Sequence, residues 1–118
     1  MKFNNLKNLI ELFYEIYSSK NSNEIFLTSL KDKNNFYTWQ ETFECVQKFS
    51  EKLDDVISEK ERCLLISENR PEWLISDLAI MLSKGVTVPA YTTYTKSDYE
   101  YLIDDCKPSV IIISDQQQ

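Results

Sequence analysis

The segment Tyr91-Thr92-Thr93-Tyr94-Thr95 gathers two phenol rings and three hydroxyls directly after a short apolar run, Val86 to Ala90. Aromatic faces stack on flat ligands, and hydroxyls hydrogen-bond the polar edges of such ligands. This loop is therefore the leading candidate for a binding surface. The plainer alternative is a polar loop that starts the next helix, because Thr95 and Asp98 fit the Thr-x-x-acid pattern of a cap. Other residues with chemical potential are fewer. Asp54-Asp55 and Asp104-Asp105 are adjacent pairs, and neighbours along a helix point in different directions, so neither pair is expected to share a proton. Arg70 and Trp73 read as a surface cation at a helix start and a core aromatic.

Several chemistries are excluded by composition. The chain contains no histidine, which removes the usual general base and the commonest metal ligand. It contains one glycine, Gly85, whereas a phosphate cradle needs several residues of bare backbone to close N–H groups around phosphate oxygens. Asp115 follows an apolar run, as a phospho-acceptor does in receiver domains. The loop after Ile66, however, offers Ser67, Glu68 and Asn69 in place of the acidic cluster that holds magnesium. Cys45, Cys63 and Cys106 form no close pair, which excludes a disulfide framework or a zinc site and fits a reduced compartment. Each lies in an apolar pattern and is expected to pack as a small hydrophobe. A net charge of -6 argues against nucleic acid and against an electrostatic membrane anchor. No segment approaches the roughly 20 apolar residues of a membrane span. At the N-terminus, Lys7, Asn8, Glu11 and Glu15 interrupt the apolar run that a targeting signal requires.

The elements that would position these residues follow from spacing. Leu6, Leu9, Ile10, Phe13, Tyr14 and Tyr17 predict an amphipathic helix over 5–18, broken by Ser18 to Asn23. Ile25 to Leu30, a turn, and Phe36 to Thr38 predict a hairpin. Thr38 and Glu41 form a capping box for a helix bearing Phe43, Val46, Phe49 and Leu53 and ending near residue 53. Asp54 to Glu61 reads as a solvated acidic loop. Cys63 to Ile66 is a continuous apolar run, as in a strand covered on both faces. Asn69 is placed as the cap of the next helix, with Pro71 in its first turn and Glu72 at the third position. From Trp73 to Leu82 that helix is apolar nearly all round, which predicts burial on more than one side. Gly85 is expected to be its left-handed terminator. Val86 to Ala90 reads as a second buried strand. Tyr99, Leu102, Ile103 and Cys106 make the inner face of a third helix ended by Lys107-Pro108, and Val110 to Ile113 a third strand.

Strand, helix, strand, helix, strand with short links implies parallel pairing through right-handed crossovers. The fold class is therefore α/β: an N-terminal helix and β-hairpin followed by a β-α-β-α-β parallel-sheet unit. The expected organisation is one domain, with helix and linker over 1–22, the α/β unit over 23–115 and a tail over 116–118. Ligands of such a sheet sit beyond the C-terminal ends of its strands, at Ser67 to Arg70, Tyr91 to Thr95 and Ser114 onward.

The runs FYTWQETFECVQKFSEKL and ERCLLISENRPEWLISDLAIMLSKGVTVPAYTTYTKSDYEYLIDDCKPSVIIIS carry a resemblance over about residues 25–115. In their order of parts they resemble the start of an AMP-forming long-chain fatty-acid–CoA synthetase. The resemblance implies an incomplete part of that family's N-terminal domain. It implies a parent reaction that joins a carboxylate to ATP as an acyl-adenylate and passes the acyl group to CoA, with ATP, Mg2+ and CoA as cofactors. The family's phosphate loop, magnesium-binding Glu, ribose-binding Asp and catalytic Lys have no counterpart in these 118 residues. No catalytic or metal residue is assigned, and no cofactor is expected to be held by this chain alone. One binding role carries over. In acetyl-CoA synthetase relatives an aromatic and two glycines after the equivalent strand touch the nucleotide end of CoA. Tyr91 matches the aromatic, and Thr92 and Thr93 stand where the glycines would be. The implied partners are the remainder of a synthetase or a second copy meeting exposed apolar surface. The implied location is cytoplasmic, with peripheral membrane association in the parent family. A non-catalytic interaction module and, less well supported, a receiver-like switch are the competing readings.

Overall fold

The computed structural model describes residues 9–19 and 23–114. Among these, the order is helix α1 (Leu9–Ser19), strands β1 (Ile25–Thr28) and β2 (Phe36–Thr38), helix α2 (Trp39–Asp54), strand β3 (Arg62–Ile66), helix α3 (Pro71–Leu82), strand β4 (Val86–Ala90), helix α4 (Lys96–Cys106) and strand β5 (Val110–Ile113). The first turn of the helix expected over 5–18, with Leu6, lies outside the described residues, as do Asp115 and the tail.

β1 and β2 pair antiparallel, with a register shift between Ile25 and Leu27. The first strand stops at Thr28, short of the expected Leu30, which is fully exposed. At Thr38 the capping box forms as expected: Glu41 N–H donates to Thr38 Oγ1 at 3.1 Å, and Thr38 N–H donates to Glu41 Oε1 at 2.9 Å. Aromatic rings then bind the hairpin and α1 to α2. Phe26 stacks on Trp39 with centroids 3.8 Å apart, and Tyr17 stacks on Phe43 at 4.5 Å. The Tyr17 hydroxyl donates to Gln40 Oε1 at 2.6 Å, which satisfies the polar end of a half-buried ring.

The second sheet is parallel, in the order β4-β3-β5. β3 is central, and Leu64 and Leu65 are fully buried, one on each face. Burying each contributes about 1.5–3 kcal/mol. Cys63 faces the larger core, with Val46 and Leu53 of α2 and Ile75, Leu78, Ala79 and Ile80 of α3. Leu64 and Ile66 face a smaller core closed by Val88, Ala90, Tyr94, Tyr99 and Leu102. α3 and α4 therefore cover opposite faces of the sheet. α3 is buried on several sides, as its all-round apolar pattern requires. A buried hydroxyl pair joins it to α2: Ser83 Oγ donates to the Ser50 carbonyl at 3.0 Å, and Ser50 Oγ lies 2.7 Å from Ser83 Oγ.

Several expectations need correction. β4 is an edge strand with exposed Val86 and Pro89, because it pairs with β3 along one edge and no described strand pairs along the other. Ile103, placed on the inner face of α4, is exposed, since α4 turns Tyr99, Leu102 and Cys106 inward and Ile103 falls past the edge of that stripe. The acidic 54–61 segment buries Ile57 in the larger core, and its Glu61 side chain accepts from Ser58 N–H at 2.7 Å. Asn69 does not cap α3. Arg70 occupies that position in extended backbone without a side-chain cap, and Asn69 is left free to face the strand ends. The left-handed terminator of α3 is Lys84 (φ 64°), not Gly85. Gly85 N–H donates to the Ile80 carbonyl and Lys84 N–H to Met81, the paired bonds of a Schellman stop one residue earlier than expected. Gly85 is glycine for room: a Cβ there would meet Ile57 Cδ1 at 2.9 Å, Ile80 Cγ2 at 3.2 Å and the Glu61 carbonyl at 3.3 Å.

These two neighbours should respond oppositely to substitution. Gly85→Ala is expected to cost about 1–3 kcal/mol by overpacking, whereas Lys84→Gly should stabilise by up to about 1 kcal/mol by relieving the left-handed backbone. Urea unfolding of both variants checks the pair.

Candidate functional site

Two clefts open at the C-terminal ends of the parallel strands. The larger, about 380 Å3, lies beyond β3 and β4. Ser67, Asn69 and Trp73 form one wall, and Pro89, Ala90, Tyr91 and Tyr94 the other. The smaller, about 130 Å3, lies between the ends of β3 and β5, beside Ser67, Arg70, Trp73 and Ser114. The chain leaves β3 over one face toward β4 and returns over the other face to β5. A reversal of this kind is where open parallel sheets gather their ligands.

Each wall is held by identifiable bonds. The last ladder pair, Ile66 opposite Ala90, fixes where both loops begin. The 91–95 loop ends in the capping box of α4: Asp98 N–H donates to Thr95 Oγ1 at 3.2 Å, and Thr95 N–H to Asp98 Oδ2 at 3.0 Å. Within the loop, the Tyr91 and Tyr94 rings meet edge to face at 5.5 Å. Tyr99, one turn into α4, donates its hydroxyl to the Tyr91 carbonyl at 2.5 Å.

The opposite wall rests on a charged network. Arg70 Nε donates to Glu72 Oε1 at 2.8 Å, and its Nη1 to Glu68 Oε1 at 3.1 Å. Tyr37 of the hairpin donates to Glu72 Oε2 at 2.7 Å. Burial, the hydrogen bond to Glu72 and the charge of that carboxylate push the Tyr37 phenol up to about 12. Burial pushes Glu72 upward, but the bonds from Tyr37, Arg70 and the backbone outweigh it and leave the carboxyl below its ordinary value. With two carboxylates on one guanidinium, this corner is no anion seat. The Ser114 hydroxyl at the smaller cleft is buried without a hydrogen-bond partner.

Of the residues singled out from sequence, Tyr91 lines the larger cleft and is 70% exposed as a residue, and Thr92 and Thr93 follow it on the loop, half-buried and exposed. Trp73 was expected in the core and Arg70 at the surface. Trp73 is half-buried and borders both clefts, and Arg70 is half-buried at the smaller one. Pro89 and Ala90 were missed as lining residues, although their place at a strand end was a usable signal. The paired aspartates 54–55 and 104–105 are exposed, as expected. Cys63 and Cys106 are buried and Cys45 half-buried, all as free thiols. Burial pushes the Cys45 and Cys63 thiols up, away from reactivity. Among the described residues no helix is long and apolar enough to cross a membrane.

The model of a family described as AMP-binding enzyme matches residues 15–118. The chain belongs to that family. Among curated relatives, it is 30% identical over 54 residues to the long-chain-fatty-acid–CoA ligase ACSBG1 of Rattus norvegicus, covering 46% of this chain and 8% of the relative. It is 27% identical over 81 residues to long chain acyl-CoA synthetase 4 of Arabidopsis thaliana, covering 68% and 12%. The chain thus spans about a tenth of the length of these AMP-binding relatives. Among solved structures, VinN in complex with L-aspartate superposes with a TM-score of 0.81 at 19% identity, over 93% of this chain and 30% of that one. The Klebsiella oxytoca NpsA N-terminal subdomain gives 0.77 at 20% identity, over 93% and 28%. These likenesses establish the fold of an AMP-binding N-terminal domain for this chain.

Two measurements probe the walls. Thr95→Ala removes the capping box and is expected to cost about 1 kcal/mol in urea unfolding. Tyr37 implies an alkaline limb. A phenol near 10 when unfolded and about 12 when folded contributes stability that is intact below pH 10 and lost between pH 10 and 12. Comparing unfolding of the chain and of Tyr37→Phe across that window should show a smaller loss in the variant.

Proposed function

We propose that this chain is the N-terminal part of a long-chain fatty-acid–CoA ligase and does not catalyse alone. The parent reaction converts ATP, fatty acid and CoA to acyl-CoA, AMP and diphosphate. The chain would contribute scaffold as a single partial domain: helix and linker over 1–22, the α/β unit over 23–115, and a tail over 116–118. Its free thiols suit a cytoplasmic setting.

The observation that carries this reading is the half-covered sheet. Ile111 and Ile113 lie beside Leu64 and Ile66 in register on the same face, yet are 43% and 54% exposed while Leu64 is fully buried. α4 covers β3 and β4 and leaves β5 bare. A strand that is aliphatic on both faces is the pattern of a sheet interior. The remainder of a synthetase is therefore the natural partner for the β5 edge. The named activities of the curated relatives support the fatty-acid substrate.

The residues present do not suit ATP or magnesium. The single glycine is closely packed against Ile57 and Ile80. The acids at the strand ends are tied to Arg70. CoA fits better. The larger cleft has the size of a nucleobase site, with aromatic walls and the amide of Asn69 for a base edge. In this proposal Tyr91 stacks on the nucleotide end of CoA, and Thr92 and Thr93 offer hydroxyls where relatives bring bare backbone.

Incubating the purified chain with ATP, CoA and palmitate should yield no acyl-CoA or AMP above background, and clear turnover would overturn the proposal. The bare sheet face should bind a hydrophobic dye and drive self-association in light scattering. Ile111→Glu combined with Ile113→Glu should abolish both while leaving helix content unchanged. A sharp melt without dye binding would favour a self-sufficient interaction module.

A further inference from the structure

We infer that Tyr99 is a positioning residue whose hydroxyl sets the place of the Tyr91 ring and so the width of the larger cleft. The turn from Tyr91 to Tyr94 has little of its own to hold it. Its closing bond, Tyr94 N–H to the Tyr91 carbonyl, is 3.4 Å long. At that length a backbone bond is weak. The same carbonyl takes the Tyr99 hydroxyl at 2.5 Å, a far closer contact. The Tyr94 ring is held between two others, 5.5 Å from Tyr91 and 5.8 Å from Tyr99.

Tyr99 is well placed to act as a strut. Its ring packs against the core of Leu64, Ile66 and Ala90, of which Ile66 and Ala90 end the strands where the cleft opens. Its helix begins at the Thr95–Asp98 capping box, so the backbone beneath it is fixed. The phenol thus ties a loop carbonyl to the sheet. Tyr91 itself is 70% exposed and has little packing of its own to hold its ring. Without the hydroxyl, nothing strong retains the carbonyl, and the ring is free to swing away from the wall formed by Asn69 and Trp73. The identity of the ligand rests on the CoA reading above; the role of Tyr99 in ordering the loop does not.

Tyr99→Phe removes one oxygen and keeps the ring in the core. Two measurements on the same sample separate the claims. Backbone order parameters of residues 92–94 are expected to fall from about 0.85 to below about 0.6 in the variant. The ring-to-ring cross-peak between Tyr91 and Tyr94 should be lost, while amide exchange in β3 stays unchanged. Unchanged order in the loop, or an equal loosening of β3, would overturn the inference. Titration with coenzyme A should perturb Tyr91 to Tyr94 in the unaltered chain, and roughly three- to tenfold weaker binding is expected in the variant. Equal affinity in both would also overturn the positioning role. If coenzyme A perturbs neither, the CoA reading fails, and the order parameters alone decide on Tyr99.

Discussion

β3 has to hide two faces and two edges, and the rest of the molecule is arranged to let it. Its residues from Cys63 to Ile66 are all buried, so neither face can meet water and neither row of backbone groups can go unpaired. β4 and β5 satisfy the edges in parallel register. Parallel neighbours cannot be joined by a tight turn, so each connection crosses over the sheet and brings a helix with it. One crossover puts α3 on the Cys63 face, and the other puts α4 on the Leu64 face. The hairpin, α1 and α2 then complete the larger core from outside α3.

The same constraint creates the clefts. Crossovers that leave β3 in one direction and return in the other pull the strand-end loops apart, and the space between them is lined by whatever those loops carry. Here the larger cleft has Tyr91 and Tyr94 on the β4 side and Ser67, Asn69 and Trp73 on the β3 side, and the Arg70 ion pairs border the smaller cleft. The sheet and its two crossovers belong to the fold that the chain shares with the solved structures it superposes on.

Gly85 and Tyr99 show how little of this geometry is local. A glycine after an apolar helix reads as a left-handed stop, yet Lys84 takes the strained backbone and Gly85 takes the tight contact with Ile57, Ile80 and Glu61. The reason is a meeting of three segments, and no window of sequence around residue 85 contains it. Tyr99 likewise reads as one inward residue of an amphipathic helix. Its hydroxyl reaches a carbonyl eight positions earlier because the helix begins where the loop ends.

The amino-acid order alone determined what depends on spacing of three or four positions. Both capping boxes, the burial of α3 on several sides, the hairpin, the parallel class of the sheet and the place of the Tyr91 loop at a strand end were readable, because they follow from the types and spacing of residues close in sequence. The tertiary structure decided which strand is central, which are edges, and what faces what across the cleft. Trp73 and Asn69 line one cleft with Tyr91 because β3 and β4 pair in one register. β4 and β5 are the outer strands because the first crossover sets β4 on one side of β3 and the second carries the chain past β3 to set β5 on the other. Those outcomes are set by how elements far apart in the chain pack, and hydrophobic pattern records that a residue is covered without recording by what.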